Sequence, residues 1–200
     1  METIVQIGVA HAIDHVYNII KNKNFENVFA ILIEPNIHSI PLIKKQYELL
    51  KTKVISNIAI SYYDGTIPVY FNNYESGDSQ HASVKESHLH IHGDTSQNIT
   101  KVDVLCFSLN TYLNKIFHFD DKTVIDSLYI DTEGHDCDIL LNTDFSKLNI
   151  SKIYFEVTHS ENTFSGSNTE KYKNTRLHLE HYGYIETQIN NDSATFIKNQ

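Results

Sequence analysis

The sequence predicts an α/β fold: a mostly parallel sheet with helices on both faces, ending in an antiparallel hairpin. Three observations carry this. Runs such as Val28-Phe29-Ala30-Ile31-Leu32-Ile33 are β-branched and aliphatic, long enough for buried strands and too short for helices. They alternate with stretches whose apolar residues recur at intervals of three and four. The links between them are short, the pattern of parallel strands joined by crossover helices. With 200 residues, 40% of them apolar and 20% charged, a chain buries roughly 70% of its unfolded surface without a disulfide or metal staple. One domain over residues 1–200 is expected.

In order, Thr3 to Gly8 reads as a buried strand that stops at its glycine. Ile13, Val16, Tyr17 and Ile20 mark a helix, and Val28 to Ile33 a second strand that runs into Glu34-Pro35-Asn36. Ser39 and Pro41 open a helix striped by Ile40, Ile43, Tyr47 and Leu50. Lys53 to Ser61 reads as a third strand, and Thr66 to Phe71 as a further piece beyond the turn at Asp64-Gly65. Residues 72–100 are polar and histidine-rich and predict an insertion or lid. A helix over Ser108 to Phe117, a strand over Val124 to Ile130 and a short helix over Gly134 to Asn142 follow. Lys152 to Val157 is a strand, and Thr169 to Tyr182 a helix stopped by Gly183. Tyr184 to Ile189 and Ala194 to Lys198, around Asn190-Asn191-Asp192, read as a hairpin.

Composition excludes several classes. The net charge is −9, and Arg176 is the single arginine, so a broad basic face for duplex nucleic acid is not available. Cys106 and Cys137 are too few for a disulfide framework or a four-thiolate zinc site. No run approaches the ~18 apolar residues of a membrane span, and the first residues carry no basic-then-apolar leader. The expectation is a cytoplasmic protein without membrane or nucleic-acid partners. Its oligomeric state, a homo-oligomer included, stays open.

In open α/β sheets, ligands bind beyond the carboxyl ends of the strands, where strand order reverses. Three places qualify. Gly8, in Gln6-Ile7-Gly8-Val9-Ala10-His11-Ala12, allows close backbone approach before a helix N-terminus, although an ordinary tight turn uses a glycine equally well. The phosphate-binding G-x-G-x-x-G pattern is missing. Glu34, at the tip of strand two, has the placement of a carboxylate that accepts two ribose hydroxyls. Asp131 sits at a strand tip in Ile130-Asp131-Thr132-Glu133-Gly134-His135-Asp136. Asp136 and Asp138 are equally at home in a first helical turn for the sake of the dipole.

Three of these segments together resemble the FkbM-type methyltransferases. Ile125 to Asp136, followed by Ile139-Leu140, is similar to that family's "D-L-L-K-I-D-V-E-G-x-E…V-L"; Ala30 to Asn36 is similar to its "F-E-P-x". Asn57 to Ser61 with Gly65 looks like "A-L-S…G", Ser108-Leu109-Asn110 like "T-L-D", and Leu179 to Tyr184 like "L…G-Y". The resemblance implies a class I methyltransferase fold, Rossmann-like, with seven strands, one of them antiparallel. It also implies S-adenosylmethionine as methyl donor and methylation of a hydroxyl on a small molecule or sugar. Carried over, Gly8 underlies the cofactor's methionine part and Glu34 holds its ribose. Asn57 and Ala59 lie toward the adenine, and Asp131 and Glu133 face the sulfonium and acceptor. Asp131 or His135 takes the acceptor's proton, while Glu133 holds the acceptor or the turn. Gln6, Ala10 and Ala12 depart from "D-I-G-A-N-x-G", and Asn110 replaces the aspartate of "T-L-D". The alternative these departures imply is a non-catalytic binding or scaffolding protein.

Twelve histidines are many for this length. His88, His90 and His92 alternate, so on a strand they share a face, with His81 nearby, a spacing that suits Zn²⁺. A polar loop is the simpler reading, and no metal is assigned. The acids Asp131, Glu133 and Asp136 lack a matching second strand of ligands for Mg²⁺. Cys137 is expected to pack rather than react, and no Ser/His/Asp set stands out.

Overall fold

The structure, a computed structural model, describes residues 1–10, 15–23, 25–72, 82–161, 164 and 166–199. Its strands are β1 (Glu2–Ile7), β2 (Val28–Ile33), β3 (Thr52–Ser56), β4 (Ala59–Ser61), β5 (Gly65–Asn72), β6 (Ile99–Ser108), β7 (Val124–Ile125), β8 (Ser127–Ile130), β9 (Asn149–Ile150), β10 (Lys152–Glu156), β11 (Tyr184–Ile189) and β12 (Ser193–Lys198). The helices are α1 (His15–Asn22), α2 (Ile40–Gln46), α3 (Glu86–Ile91), α4 (Asp136–Leu141) and α5 (Glu170–His181). A π-type turn covers Thr111–Ile116.

Seven strands form the main sheet in the order β11-β12-β10-β8-β1-β2-β3. All run parallel except β12, which pairs antiparallel with both β10 and β11. From β1 the chain crosses to β2 and β3 on one side, and later to β8 and β10 on the other. Strand order therefore reverses between β1 and β8.

Alternation along each central strand divides the core into two layers. Val5, Ile7, Ile31, Ile33, Leu128 and Ile130 pack with Ile139, Leu140 and Leu179 of α4 and α5. Ile4, Ala30, Leu32 and Tyr129 face Val16, Ile20, Ile43, Tyr47 and Leu50 on and after α1 and α2. The unbroken apolar character of β2 follows from burial on both faces. Thr169 caps α5 by accepting from the Tyr172 N–H at 3.1 Å, and Gly183, at φ +83°, ends it.

Three expectations need correction. The third strand is not continuous to Ser61: it leaves the main sheet at Asn57, and β4 joins a three-stranded side sheet in the order β4-β6-β5. Residues 99–108 are a ten-residue strand of that side sheet, so the insertion ends before residue 99 and a strand fills the stretch up to Ser108 that the sequence reading leaves without an element. Its weak signal is physical, since Val102 and Leu105 are exposed and only Cys106 is fully buried. Val124 to Ile130 divides at Asp126, whose N–H binds the Thr3 carbonyl at 3.0 Å and whose carboxylate accepts from the Thr3 N–H at 2.7 Å. Part of the predicted insertion, with His81, lies outside the described residues, as do Ile13, His11 and Ala12; the described remainder contains α3. Among the described residues no helix is long and apolar enough to cross a membrane.

Candidate active site

A cleft lies at the carboxyl ends of β1, β2 and β8, where strand order reverses. Ile7, Val9, Ile33, Ala59 and Ile60 give it apolar walls; Gly8, Glu34, Asp131, Glu133 and His135 supply its polar features. Ala82, Ser83 and Val84, from within the 72–100 segment and just before α3, complete the lining.

Gly8 is fixed by crowding. At φ +79° a Cβ built on it would lie 1.7 Å from the Asp131 carbonyl oxygen. On either side the ladder continues: the Gly8 N–H binds Ile33 O at 3.0 Å, and the Asp131 N–H binds Ile7 O at 2.9 Å. Beyond Gly8 the chain turns over the Glu34 carboxylate. Oε2 accepts from the N–H groups of Val9 (3.1 Å) and Ala10 (2.8 Å), and Oε1 from that of Asn36 (2.8 Å). Glu34 is buried, and burial pushes its carboxyl up to about 7 against the pull of these three bonds. Oε1 keeps one lone-pair direction beyond its bond to Asn36. Asn57 lies outside the lining: its amide donates to the carbonyls of Glu34 and Pro35, both at 2.9 Å, tying β3 to the β2 loop. Ala59 is in the wall.

After β8 the chain makes a left-handed step, Glu133 at φ +54° and Gly134 at φ +95°. A Cβ on Gly134 would stand 2.9 Å from the His159 carbonyl oxygen, so the glycine of I-D-T-E-G lets this turn pack on the loop after β10. Asp131 is exposed at the strand tip and faces the cleft. Asp136 turns inward, accepting from the Thr132 hydroxyl at 2.7 Å, and burial raises its pKa. His135 is buried with both ring nitrogens engaged: Nε2 lies 3.0 Å from Ser61 Oγ, and Nδ1 3.2 Å from Asp138 Oδ2. Burial alone would raise Asp138, but bonds from His135 and Lys171 outweigh it and hold the carboxyl well below its ordinary range.

This Ser61–His135–Asp138 chain escapes sequence reading because Ser61 comes from β4, far from the I-D-T-E-G segment. The histidines also arrange differently from the strand expectation. Residues 86–91 are helical, so His88 and His92 share a face while His90 turns away, its Nδ1 2.9 Å from Asp94 O. His88 Nε2 lies 2.8 Å from Glu133 Oε2, and His159, from the loop after β10, joins the same group. Desolvation lowers the His159 pKa, while burial beside Asp136 and Glu133 lifts Glu156 to about 9. Cys137 is buried on α4 with its thiol pushed up to about 12, consistent with packing rather than reactivity. Asn110 pairs reciprocally with the Asp144 backbone, at 3.0 and 2.8 Å, away from the cleft.

Strand order, the antiparallel β12 and a cleft at the β1/β8 reversal define a class I methyltransferase fold. Solved structures share it. The chain aligns over 98% of its length with the methyltransferase FkbM from Methylobacillus flagellatus KT, at TM-score 0.56 and 8% identity. It spans 43% of that protein, less than half. It also aligns over 100% of its length with a chain of the fibrillarin/Nop5p complex, covering 73% of that chain, at TM-score 0.51 and 9% identity. At these identities the likeness is one of fold. No curated protein sequence matches the chain significantly. The chain belongs to the methyltransferase FkbM domain family, which it matches over residues 6–186.

Proposed function

We propose that this chain is an S-adenosylmethionine-dependent methyltransferase acting on a hydroxyl of a small molecule or sugar. The observation that carries the reading is Glu34: a buried acid in the wall of the cleft, at the tip of β2, with acceptor capacity left over. The donor set suits the cofactor. Apolar Ile33, Ala59 and Ile60 offer surface for an adenine, and Glu34 accepts from ribose hydroxyls. When bound, S-adenosylmethionine supplies an electrophilic methyl group on a sulfonium.

The chain's task is then alignment and proton removal. Of the acids and bases lining the cleft, His135 has its two nitrogens taken by Ser61 and Asp138, and Glu133 is drawn toward His88. Asp131, exposed at the tip of β8 in the lining of the cleft, would accept the O–H proton of the acceptor. The net acidity of the chain favours a neutral or cationic acceptor over a nucleic acid.

Isothermal titration with S-adenosylhomocysteine tests the reading. Micromolar binding by the wild type and at least tenfold weaker binding by Glu34→Ala support it. No binding up to ~1 mM, about −4 kcal/mol, overturns it in favour of a fold kept without its cofactor.

A further inference from the structure

We propose that His88, His92, His159 and Glu133 form a binding site for one divalent transition-metal ion of the zinc class, beside the cleft and additional to the methyl-transfer reading. One ligand atom from each of the four residues lies within 4.8 Å of all the others. His88 Nε2 is 2.8 Å and His159 Nδ1 3.5 Å from the same Glu133 Oε2. Ligands held about 2.0–2.1 Å from Zn²⁺ stand roughly 3.3 Å apart in a tetrahedron. The separations of 2.8 and 3.5 Å to Glu133 bracket that spacing, and all four ligand atoms stay within 4.8 Å of one another.

The residues come from three segments at the carboxyl end of the sheet. His88 and His92 project from one face of α3, Glu133 from the left-handed step after β8, and His159 from the loop after β10. The His88, His92 and His159 rings are mutually packed, with centroids 4.6–5.2 Å apart, and Phe164 lies against His92 and His159. A simple buried ion pair would need one imidazole against Glu133. Here three surround it, and the side chains of His88 and His159 are 0% and 8% exposed. His159 Nδ1, the nitrogen 3.5 Å from Glu133 Oε2, is buried without a hydrogen bond, an arrangement that folding does not favour and that a bound ion would relieve.

Three nitrogens and one oxygen select the metal class. Imidazole-rich sets suit Zn²⁺, Co²⁺, Ni²⁺ or Fe²⁺, whereas Mg²⁺ and Ca²⁺ require oxygen. The ion would join α3 and the loop after β10 to the turn that carries Glu133 into the cleft, stiffening that wall.

The test is titration of chelator-stripped full-length chain with Co²⁺, followed by displacement with Zn²⁺. One equivalent of Co²⁺ giving visible d–d bands that Zn²⁺ abolishes is expected. The H88Q/H159Q double variant should bind at least 100-fold more weakly, and His90→Ala, on the same helix, within about twofold of wild type. Absence of stoichiometric binding by the wild type, or equal affinity in the double variant, overturns the proposal. Should circular dichroism show the double variant unfolded, X-ray absorption of the Zn²⁺-loaded wild type decides: imidazole scattering from several histidines supports the site, and its absence overturns it. Neither readout uses an adenosyl ligand, so failure here leaves the cofactor titration intact.

Discussion

The backbone of Gly8 touches that of Asp131 so closely that a Cβ on Gly8 would fall 1.7 Å from the Asp131 carbonyl oxygen. The two strand tips that frame the cleft are thus held together by the lack of one methyl group. Gly8→Ala combines a left-handed φ with overpacking against backbone, which cannot rotate away. The expected loss is about 2–4 kcal/mol, read as a lower urea midpoint. A change below about 0.5 kcal/mol would show that the tips separate freely.

Glu34 makes stability depend on pH. Its carboxyl moves from 4.5 to about 7 on folding. Below the lower value it is protonated in both states and stability is at its full level. Between the two values the unfolded chain releases the proton while the folded chain keeps it, so stability falls as pH rises. The loss reaches about 3 kcal/mol above pH 7. Glu34→Gln should flatten this slope in urea melts at about pH 5 and about pH 8, at the cost of one bond, because its amide nitrogen cannot accept from Asn36. A slope unchanged in the variant assigns the effect to other acids.

Ala10 sits at φ +48°, a region costly for a residue with a Cβ, and at the place where the family's motif has asparagine. It serves Glu34 through its backbone N–H, so its side chain is dispensable there. Ala10→Gly should therefore gain about 0.5–1 kcal/mol in urea stability without weakening cofactor binding. A loss would mean that the turn needs the stiffness of alanine more than relief from strain.

The elements that sequence reading places well are those with a double signal. β2 has six apolar residues stopped by Glu34-Pro35, and α5 has a capping threonine and a terminal glycine. β6 eluded it because its outer face is half apolar and its partners form only a side sheet, so alternation was weak. Within the site, the I-D-T-E-G segment and Glu34 were legible because each ends a buried strand with a charge. The Ser61–His135 contact and the imidazole cluster were not. Both depend on distant segments, β4, α3 and the loop after β10, meeting the turn after β8 at the carboxyl end of the sheet, and the period that mattered for His88 and His92 was helical.

Ser61 offers His135 Nε2 its hydrogen-bond partner in a buried setting, yet it is outside the cleft lining. Ser61→Ala leaves that nitrogen unsatisfied and should cost about 1–3 kcal/mol in urea stability. The affinity for S-adenosylhomocysteine should change by less than threefold. A much larger fall in affinity would move Ser61 from support into the binding wall.

Asp131 decides whether the acid at the tip of β8 is chemical or architectural. Its backbone N–H continues the ladder to Ile7, and its carbonyl meets Gly8, so its main chain already has a structural role independent of the carboxylate. Asp131→Asn keeps the main chain and volume while removing the carboxylate proposed as the base. Urea stability should stay within about 0.5 kcal/mol. Methyl transfer from labelled S-adenosylmethionine to hydroxyl acceptors should fall by at least 10²-fold, the usual worth of a positioned base. Loss of donor binding in proportion to rate would instead assign Asp131 to holding the cofactor's ammonium group. An unchanged rate would remove it from the chemistry and leave His135, released from Ser61, as the base to examine next.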